Sequence, residues 1–500
     1  MSPLRRRRFF AAVLLAPLLS GCFAAQDGGS SPDSAPGGRL RVAMAFPPAE
    51  HFSPYGADAT LLSRLGVTEG LTRLDANGTA VPALAESWTR DGDRGWLFTL
   101  REAKFQDGTE VTPKAVAASL THATEAKPVP AALSGADLTV QAAGDRKVRI
   151  STAEPDPALP LRMSSPGLAV LSAKAYRGGG KDTVDPVGTA TGPFALTKVT
   201  GTTRASLDRF DDYWGGRAQA SGVDARFIAD GAARTNALRT GEVDIAEAVP
   251  VSQAASLDEK TVHETGTSRT TSLLLNTRKG AFADPAVRAA ARHAIDTSAL
   301  AKGVYEGHAD PGKGIFGPAL TWAEGKREKP SDRAEAAAPK GRTVTLATYD
   351  NRPELPEVAQ VLQQQLEKAG FTVKLTVREY SRLEGDALDG KFDAVVSARN
   401  TMLDTGDPVS ILASDYTCKG SYNLAQLCDK KVDAAVAKAA GQADTAKRQD
   451  AAMAAEAAVL GTDATVPLVH QRIITGVGTS VRGVTYDPYE RALLGTGTRR

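Results

Sequence analysis

The sequence predicts an α/β protein of more than one domain, exported across a membrane, and three observations predict it. First, 500 residues exceed what a single hydrophobic core organises, so two or more domains are expected. Second, strands alternate with helices in the second half. Thr343 to Thr348, Thr372 to Val377 and Lys391 to Val396 read as strands. Between the first two, Val358, Val361, Leu362 and Leu366 form an apolar stripe on a helix from Val358 to Ala369. Third, the chain opens with a basic run, Arg5 to Arg8, followed by an apolar run from Phe9 to Leu19 that is too short to span a bilayer. A net charge of +2 supplies no field that points to nucleic acid.

Leu19-Ser20-Gly21-Cys22 resembles the bacterial lipoprotein signal, in which the cysteine becomes the lipidated first residue. The alternative is an ordinary signal peptide with a chance cysteine. Arg6-Arg7-Arg8-Phe9-Phe10 fits a twin-arginine export signal as well as a generic basic leader. Residues 1–21 are therefore expected to be a signal peptide. Residues 22–38, rich in Gly, Ser, Pro and Asp, read as a flexible tether with almost nothing to bury.

The body then opens with an alternating strand, Arg39 to Met44, and a Pro-rich loop from Phe46 that ends Phe52-Ser53-Pro54-Tyr55. Thr60 to Glu69 reads as a short helix. From Leu65 to Thr112, short apolar runs are separated by turn signals at Asp75-Ala76-Asn77-Gly78, Asp91-Gly92-Asp93 and Gln106-Asp107-Gly108. Asn-Gly and Asp-Gly supply the left-handed positions that tight turns need, so this stretch reads as a β meander with Trp96 to Leu100 as one strand. Thr112-Pro113 starts a helix with proline just inside it. Leu138 to Val140 and Lys147 to Ile150 follow as a strand pair, and Ala233 to Ala246 as a helix, a glycine stop and a strand. Thr271 to Asn276 reads as a strand. Asp284-Pro285 opens a helix that runs to Ile295-Asp296. From Trp322 to Arg342 the chain is charged and Ala-rich. Val432 to Leu460 reads as helical, Val466 to Val469 as a strand, and the end as a Gly/Thr/Arg tail.

Several of these segments carry a wording as well as a pattern. Glu69 to Thr112 matches "E-x-L … D-x-x-G-x-x-x-P-x-L-A-x-S-W … W-x-F-x-L-R-x-x-x-x-F-x-D-G-x-x-x-T". Pro186 to Phe194 resembles "P-x-G-T-G-P-F" with two residues inserted. Arg209 to Gly215 resembles "R-N-x-x-Y-W-G" with Phe210 for Asn, and Phe282 to Asp296 follows "F-x-D-x-x-V-R-x-A-x-x-x-A-I-D". Together they resemble the bacterial extracytoplasmic solute receptors of the dipeptide, oligopeptide and nickel-binding family, which feed ABC importers. The resemblance implies a two-lobed, periplasmic-binding-protein-like α/β fold of the class II type. It places a first lobe at 39–270 and 474–500, with 60–180 as an extra subdomain, and a second lobe at 271–473. It implies hinge closure around a solute rather than catalysis, with no cofactor, no nucleic acid, a monomeric receptor and ABC permease subunits as partners.

The same resemblance nominates a site. Thr401 to Pro408 follows a predicted strand end, where ligands sit in α/β sheets. It is similar to "W-x-G-D-x-x-D-P", whose first Asp accepts a ligand ammonium. Asp404 falls on that Asp; Asp407-Pro408 falls on the "D-P", and Asp407 is expected to cap the following turn. Thr401 stands where the pattern has Trp, and Pro356 stands where an Arg would meet a peptide carboxylate. Arg352 and Arg399 are the candidate replacements. Tyr422 and Asn423, in a "C … S-N-Y"-like region, and Phe52 and Tyr55, in the loop after the first strand, complete the expected lining. Cys418 and Cys428 are expected to pair, as in dipeptide-binding relatives, two free thiols being the alternative. The solute is expected to be a short peptide or another amine-bearing molecule. The alternative is nickel or a metal chelate.

Other chemistry finds little support. No G-x-S-x-G, H-E-x-x-H or P-loop pattern occurs in the 500 residues. Gly312 to Gly317 spells G-x-G-x-x-G but follows a Pro/Gly loop, not a strand, so it does not read as a dinucleotide site. The six histidines have no metal-ligand spacing, and His470 reads as a packing or hinge residue. Arg101 matches a family-wide Arg and reads as structural.

Overall fold

The computed structural model describes residues 37–127, 129–177 and 184–500. The signal peptide, Cys22 and nearly all of the tether lie outside the described residues.

An eleven-stranded sheet runs through the molecule in the order Thr372–Arg378, Thr343–Tyr349, Ala394–Asn400, Val262–Leu275, Thr465–Val477, Ile245–Val249, Arg39–Met44, Gly222–Phe227, Arg204–Arg209, Phe194–Thr200, with Ala309–Pro311 added against Thr465–Val477. Two strands are much longer than the rest. Val262–Leu275 has 14 residues and Thr465–Val477 has 13, against the usual five or six (about 17–20 Å). They pair antiparallel with each other at the centre of the sheet, with register shifts between Gly266 and Thr270 and between Thr271 and Ser272. These are the crossover strands. At one end they meet the sheet of the first lobe, and at the other that of the second.

Apolar burial follows the same division. One core gathers Leu40, Val42, Phe52, Phe194, Val223 and Ile245 with their neighbours. A second is built around Leu273, Val344, Leu362, Val396, Leu412 and Leu468. A third lies beneath the four-stranded sheet Ala85–Arg90, Gly95–Leu100, Lys147–Thr152, Leu138–Ala142, where Phe98, Leu100, Val148 and Ile150 meet the helix Pro113–Glu125. Thr112 caps that helix, its side chain accepting from the Ala115 amide. Asp284 and Asp407 cap theirs in the same way, each followed by proline at the first helical position.

The structure redraws several expected elements. The Thr60–Glu69 helix is Asp58–Arg64. The long helix at Val432–Leu460 is two, Lys430–Ala440 and Thr445–Gly461, with Gly441 at the break. Within Trp322–Arg342, only the end of a single 3-10 turn, Thr321–Ala323, is helical. The tail is also more than a tail. Residues 487–494 lie between the lobes, with Tyr489 buried in the core of the second lobe and its hydroxyl donating to the Ala76 carbonyl at 2.9 Å. The Gly312–Gly317 run is a packing device. A Cβ on Gly312 would stand 2.3 Å from the Pro467 carbonyl oxygen, and one on Gly317 would stand 2.7 Å from His470. His470 itself is buried, its Nδ1 at 2.9 Å from the Thr270 hydroxyl, and burial pushes its pKa down to about 4.

Candidate functional site

Strand Ala394–Asn400 presents Arg399 at the level of Thr270 on the first crossover strand, and the chain then turns into the 401–406 loop. Thr401 is anchored at once: its amide and hydroxyl both donate to the Ser268 carbonyl, each at 3.0 Å. Asp407 ends the loop. It caps the helix Pro408–Tyr416 and receives both arms of Arg448, at 2.8 and 2.6 Å. Burial opposes its charge, but Arg448 and the cap hold its pKa below the usual carboxylate range.

A second buried pair stands alongside. Arg399 donates to Asp415 through Nε at 3.0 Å and Nη2 at 3.3 Å. Its guanidinium lies over the Tyr422 ring, 4.3 Å from the centroid. Burial works against the Arg399 charge, and Asp415 and then Asp404 outweigh it, so its pKa is raised. Tyr422 meets the Tyr380 hydroxyl, and Tyr349 packs edge-on against Tyr380 with centroids 5.1 Å apart. The result is an aromatic wall with one arginine stacked on it.

Asp404 differs from both neighbours. It is half-buried, and among the described residues its carboxylate makes no hydrogen bond and no ion pair. Arg399 and Arg491 reach it only through their fields. Arg352 is its cationic counterpart. Its side chain makes no hydrogen bond or ion pair among the described residues, and its guanidinium lies 5.8 Å from the centre of the Phe46 ring. Burial, and after it the charge of Arg269, lowers its pKa, while Glu354 and Glu490 pull the other way. Arg269 is engaged elsewhere, donating to both oxygens of Glu490 at 3.1 Å.

The structure thus gathers Thr401, Asp404, Arg399 and Tyr422 on one wall of the second lobe, and sets Arg352 against Phe46 of the first. Three expected lining residues are corrected. Phe52 is 1% exposed and packs edge-on against Phe227 in the first-lobe core. The buried Asp58 explains its place: the carboxylate accepts from the amides of Ala49, Glu50 and Phe52 at 2.8–2.9 Å and curls the loop inward. Tyr55 packs against the subdomain core, with its hydroxyl 3.5 Å from that of Tyr176. Asn423 Nδ2 donates to the carbonyls of Thr417 and Leu427, and its Oδ1 accepts from the Leu427 amide, which closes the loop spanned by the Cys418–Cys428 disulfide.

Sequence reasoning missed Glu490 and Arg491. The signal was present as a compact aromatic and charged cluster, Tyr486 to Arg491, within a Gly/Thr-rich end. It also missed the pairings of Arg399, whose partner lies 16 residues on, and of Asp407, whose partner lies 41 residues on.

The lobes are in contact around this wall. The Ser134 and Ser421 hydroxyls are 3.4 Å apart. Leu74 of the Thr72–Leu74 strand packs against the second-lobe core. The cavity lined by Thr270, Arg399, Thr401, Asp415 and Tyr416 measures about 20 Å³, space for roughly one water. A separate depression of about 430 Å³ lies at the first-lobe ends of the crossover strands, beside His263 and Val477.

Among the described residues, no group of three or more His, Cys, Asp or Glu is placed to hold a metal ion, and no helix is long and apolar enough to cross a membrane.

Comparison with known proteins adds three findings. The profile of the bacterial extracellular solute-binding proteins, family 5 Middle, matches residues 79–423. The glutathione-binding protein GsiB of Shigella dysenteriae is 28% identical over 468 residues, covering 87% of this chain and 90% of that protein. Two solved structures share the fold. NikA of Staphylococcus aureus in complex with Ni(L-His)2 has a TM-score of 0.76 at 22% identity, covering 93% of this chain and 100% of that one. DppA of Helicobacter pylori in complex with the peptide STSA has a TM-score of 0.75 at 21% identity, covering 91% and 98%.

Proposed function

The chain belongs to the bacterial extracellular solute-binding proteins, family 5, the receptors of ABC importers, and we propose that its cargo is a short peptide or similar zwitterion gripped through its ammonium by Asp404. One observation carries this reading. Of the three acids on the second-lobe wall, Asp407 and Asp415 are each matched by an arginine, and Asp404 alone has no partner among the described residues. An enclosed carboxylate left open favours a cation that pairs and hydrogen-bonds with it, and disfavours a neutral group that leaves it unpaired. Arg352 supplies the opposite charge for a carboxylate end, and the Tyr422 and Tyr380 rings supply an apolar face between. GsiB and DppA, whose names and complexes specify glutathione and a peptide, are the relatives this reading sides with.

The receptor works by hinge closure. The two crossover strands bend where their register shifts, the lobes part to admit the solute, and the closed form is what permease subunits recognise. The body acts as a monomer outside the cell membrane, held by lipidated Cys22 on the 22–38 tether. It has no catalytic role and binds no nucleic acid.

Calorimetric titration of dipeptides and their N-acetylated forms tests the cargo. Asp404→Asn keeps the size of the side chain and removes its charge. It is expected to weaken the free-amine dipeptide by about 2–5 kcal/mol, roughly thirty-fold to several thousand-fold, and to leave N-acetyl forms as weak as before. An unchanged dissociation constant removes Asp404 from the site. Tight binding of Ni(L-His)2 with no response to dipeptides moves the assignment to the metal-chelate branch, to which NikA belongs. In that case the chelate would bring its own ligands.

A further inference from the structure

Arg491 spends all five of its N–H bonds on neutral groups from two different parts of the molecule. Nε donates to the Leu403 carbonyl at 3.0 Å. Nη2 donates to the carbonyls of Met402 at 2.9 Å and Leu403 at 2.7 Å. Nη1 donates to the Ser164 carbonyl at 3.0 Å and hydroxyl at 2.8 Å. Met402 and Leu403 immediately precede Asp404 in the second lobe, and Ser164 belongs to the subdomain. The backbone around Arg491 bridges the two lobes: the Arg491 carbonyl accepts from the Ser63 hydroxyl at 2.6 Å and the Leu494 amide donates to the Arg64 carbonyl at 3.0 Å on the first-lobe side, while the Tyr489 carbonyl accepts from Asn400 Nδ2 at 3.2 Å on the other.

We infer that Arg491 is a positioning residue, a reversible latch that completes the Asp404 loop only when the lobes are closed. The inference rests on the reading of Asp404 as the ammonium acceptor, but the latch itself stands on contacts made without any solute.

The chemistry suits a latch that opens. The Arg491 residue is 7% exposed, and no carboxylate is within ion-pair distance of it among the described residues. Burial pushes its pKa down to about 10, with Asp487 and then Asp404 only partly offsetting this. A charge enclosed among carbonyls loses hydration that its hydrogen bonds roughly restore. When the lobes part, water replaces the carbonyls of Met402 and Leu403, so the contact favours closure weakly.

The contact also has a directional effect. The two loop carbonyls that precede Asp404 are already occupied in the closed form, so an incoming ammonium finds the Asp404 carboxylate as its acceptor. Closure and recognition are thereby linked: whatever lowers the closed population lowers apparent affinity by the same factor.

Small-angle X-ray scattering of the solute-free mature chain reads the latch directly. Wild type is expected to scatter as the closed form described here. Arg491→Met fills the same space without donors and is expected to show a larger radius of gyration and a longer maximum dimension. Arg491→Lys, which keeps the charge but loses the fork, is expected to fall between the two and provides the measurement if the methionine variant does not fold. A merely structural arginine would lower the melting temperature and leave the dimensions unchanged. That result, or a wild type already in the parted form, overturns the inference. If Asp404→Asn leaves dipeptide affinity unchanged while Arg491→Met still expands the molecule, the ammonium reading fails and the latch stands.

Discussion

At the joint between the first lobe and its subdomain, the Glu69 carboxylate accepts from the Tyr213 hydroxyl at 2.8 Å and from Trp214 Nε1 at 3.0 Å. On the second-lobe wall, the Asp404 carboxylate accepts from nothing among the described residues. Both sit at a boundary between parts of the molecule, and both follow a stretch legible in the sequence. The joint satisfies its acid with fixed aromatic donors, backed by Arg101 with its guanidinium 3.7 Å from the centre of the Trp214 ring. The wall satisfies Asp407 and Asp415 and leaves Asp404 open. The satisfied acids hold the fold, and the proposed reading gives the open one to the solute; on that reading the contrast, more than the presence of acids in a cleft, separates structural from recognising carboxylates.

The largest effect should come from breaking a satisfied pair on the wall. Arg448 and Asp407 are both buried, and the same guanidinium also donates to the carbonyls of Ala439, Ala440 and Gln442. Arg448→Met leaves a buried carboxylate without its partner, a change that typically costs about 3–5 kcal/mol. Urea denaturation monitored by circular dichroism measures it. A loss below about 1 kcal/mol would mean that the wall does not divide its acids in this way.

The joint should answer to pH. Burial pushes the Glu69 carboxyl up to about 7, ahead of the lowering effects of Tyr213 and Trp214. An unfolded glutamate titrates near ~4.3, so between that pH and about 7 the folded state binds the extra proton. Stability from this group is therefore fully present below the unfolded value and is lost as pH rises through the folded one, by roughly 2–4 kcal/mol. Glu69→Gln retains both contacts, since its carbonyl oxygen accepts from Trp214 and its amide donates to the Tyr213 oxygen. Denaturation midpoints from pH 4 to 8 should show a shallower decline in the variant than in the wild type. Parallel profiles would mean that the joint is not what titrates.

The same contrast explains what the sequence could reveal. The strands of the meander, the Thr112, Asp284 and Asp407 caps and the alternation after Thr343 were legible because turn residues, caps and periodicity act within a few positions. The crossover strands were read too short. Val262 to Thr270 is polar and contains Gly266, which by local rules argues against a buried strand. It is a strand because its partner, Thr465–Val477, lies some two hundred residues away in sequence. Phe52 reads as a lining residue because, in the resembling family, the corresponding loop runs close to the ligand. Asp58, six positions on, turns it into the core. Asp404 is nominated only by a wording shared with a family, and its lack of a partner is invisible in the sequence because Arg399 and Arg448, which serve its neighbours, pair only in the fold.

The smallest effect is the one that tests the contrast most closely. Asp404→Asn removes a carboxylate that holds nothing in the closed protein. It loses the attractive fields of Arg399 and Arg491 and relieves the repulsion from Asp415. These contributions oppose each other, so solute-free stability should change by no more than about 0.5 kcal/mol, the range of substitutions outside packed networks. The same variant is expected to lose dipeptide affinity by at least thirty-fold. A large affinity loss with unchanged stability places Asp404 on the recognising side. A stability loss approaching that of Arg448→Met would place it with Asp407 as a structural acid, whose apparent role in binding followed from a damaged wall.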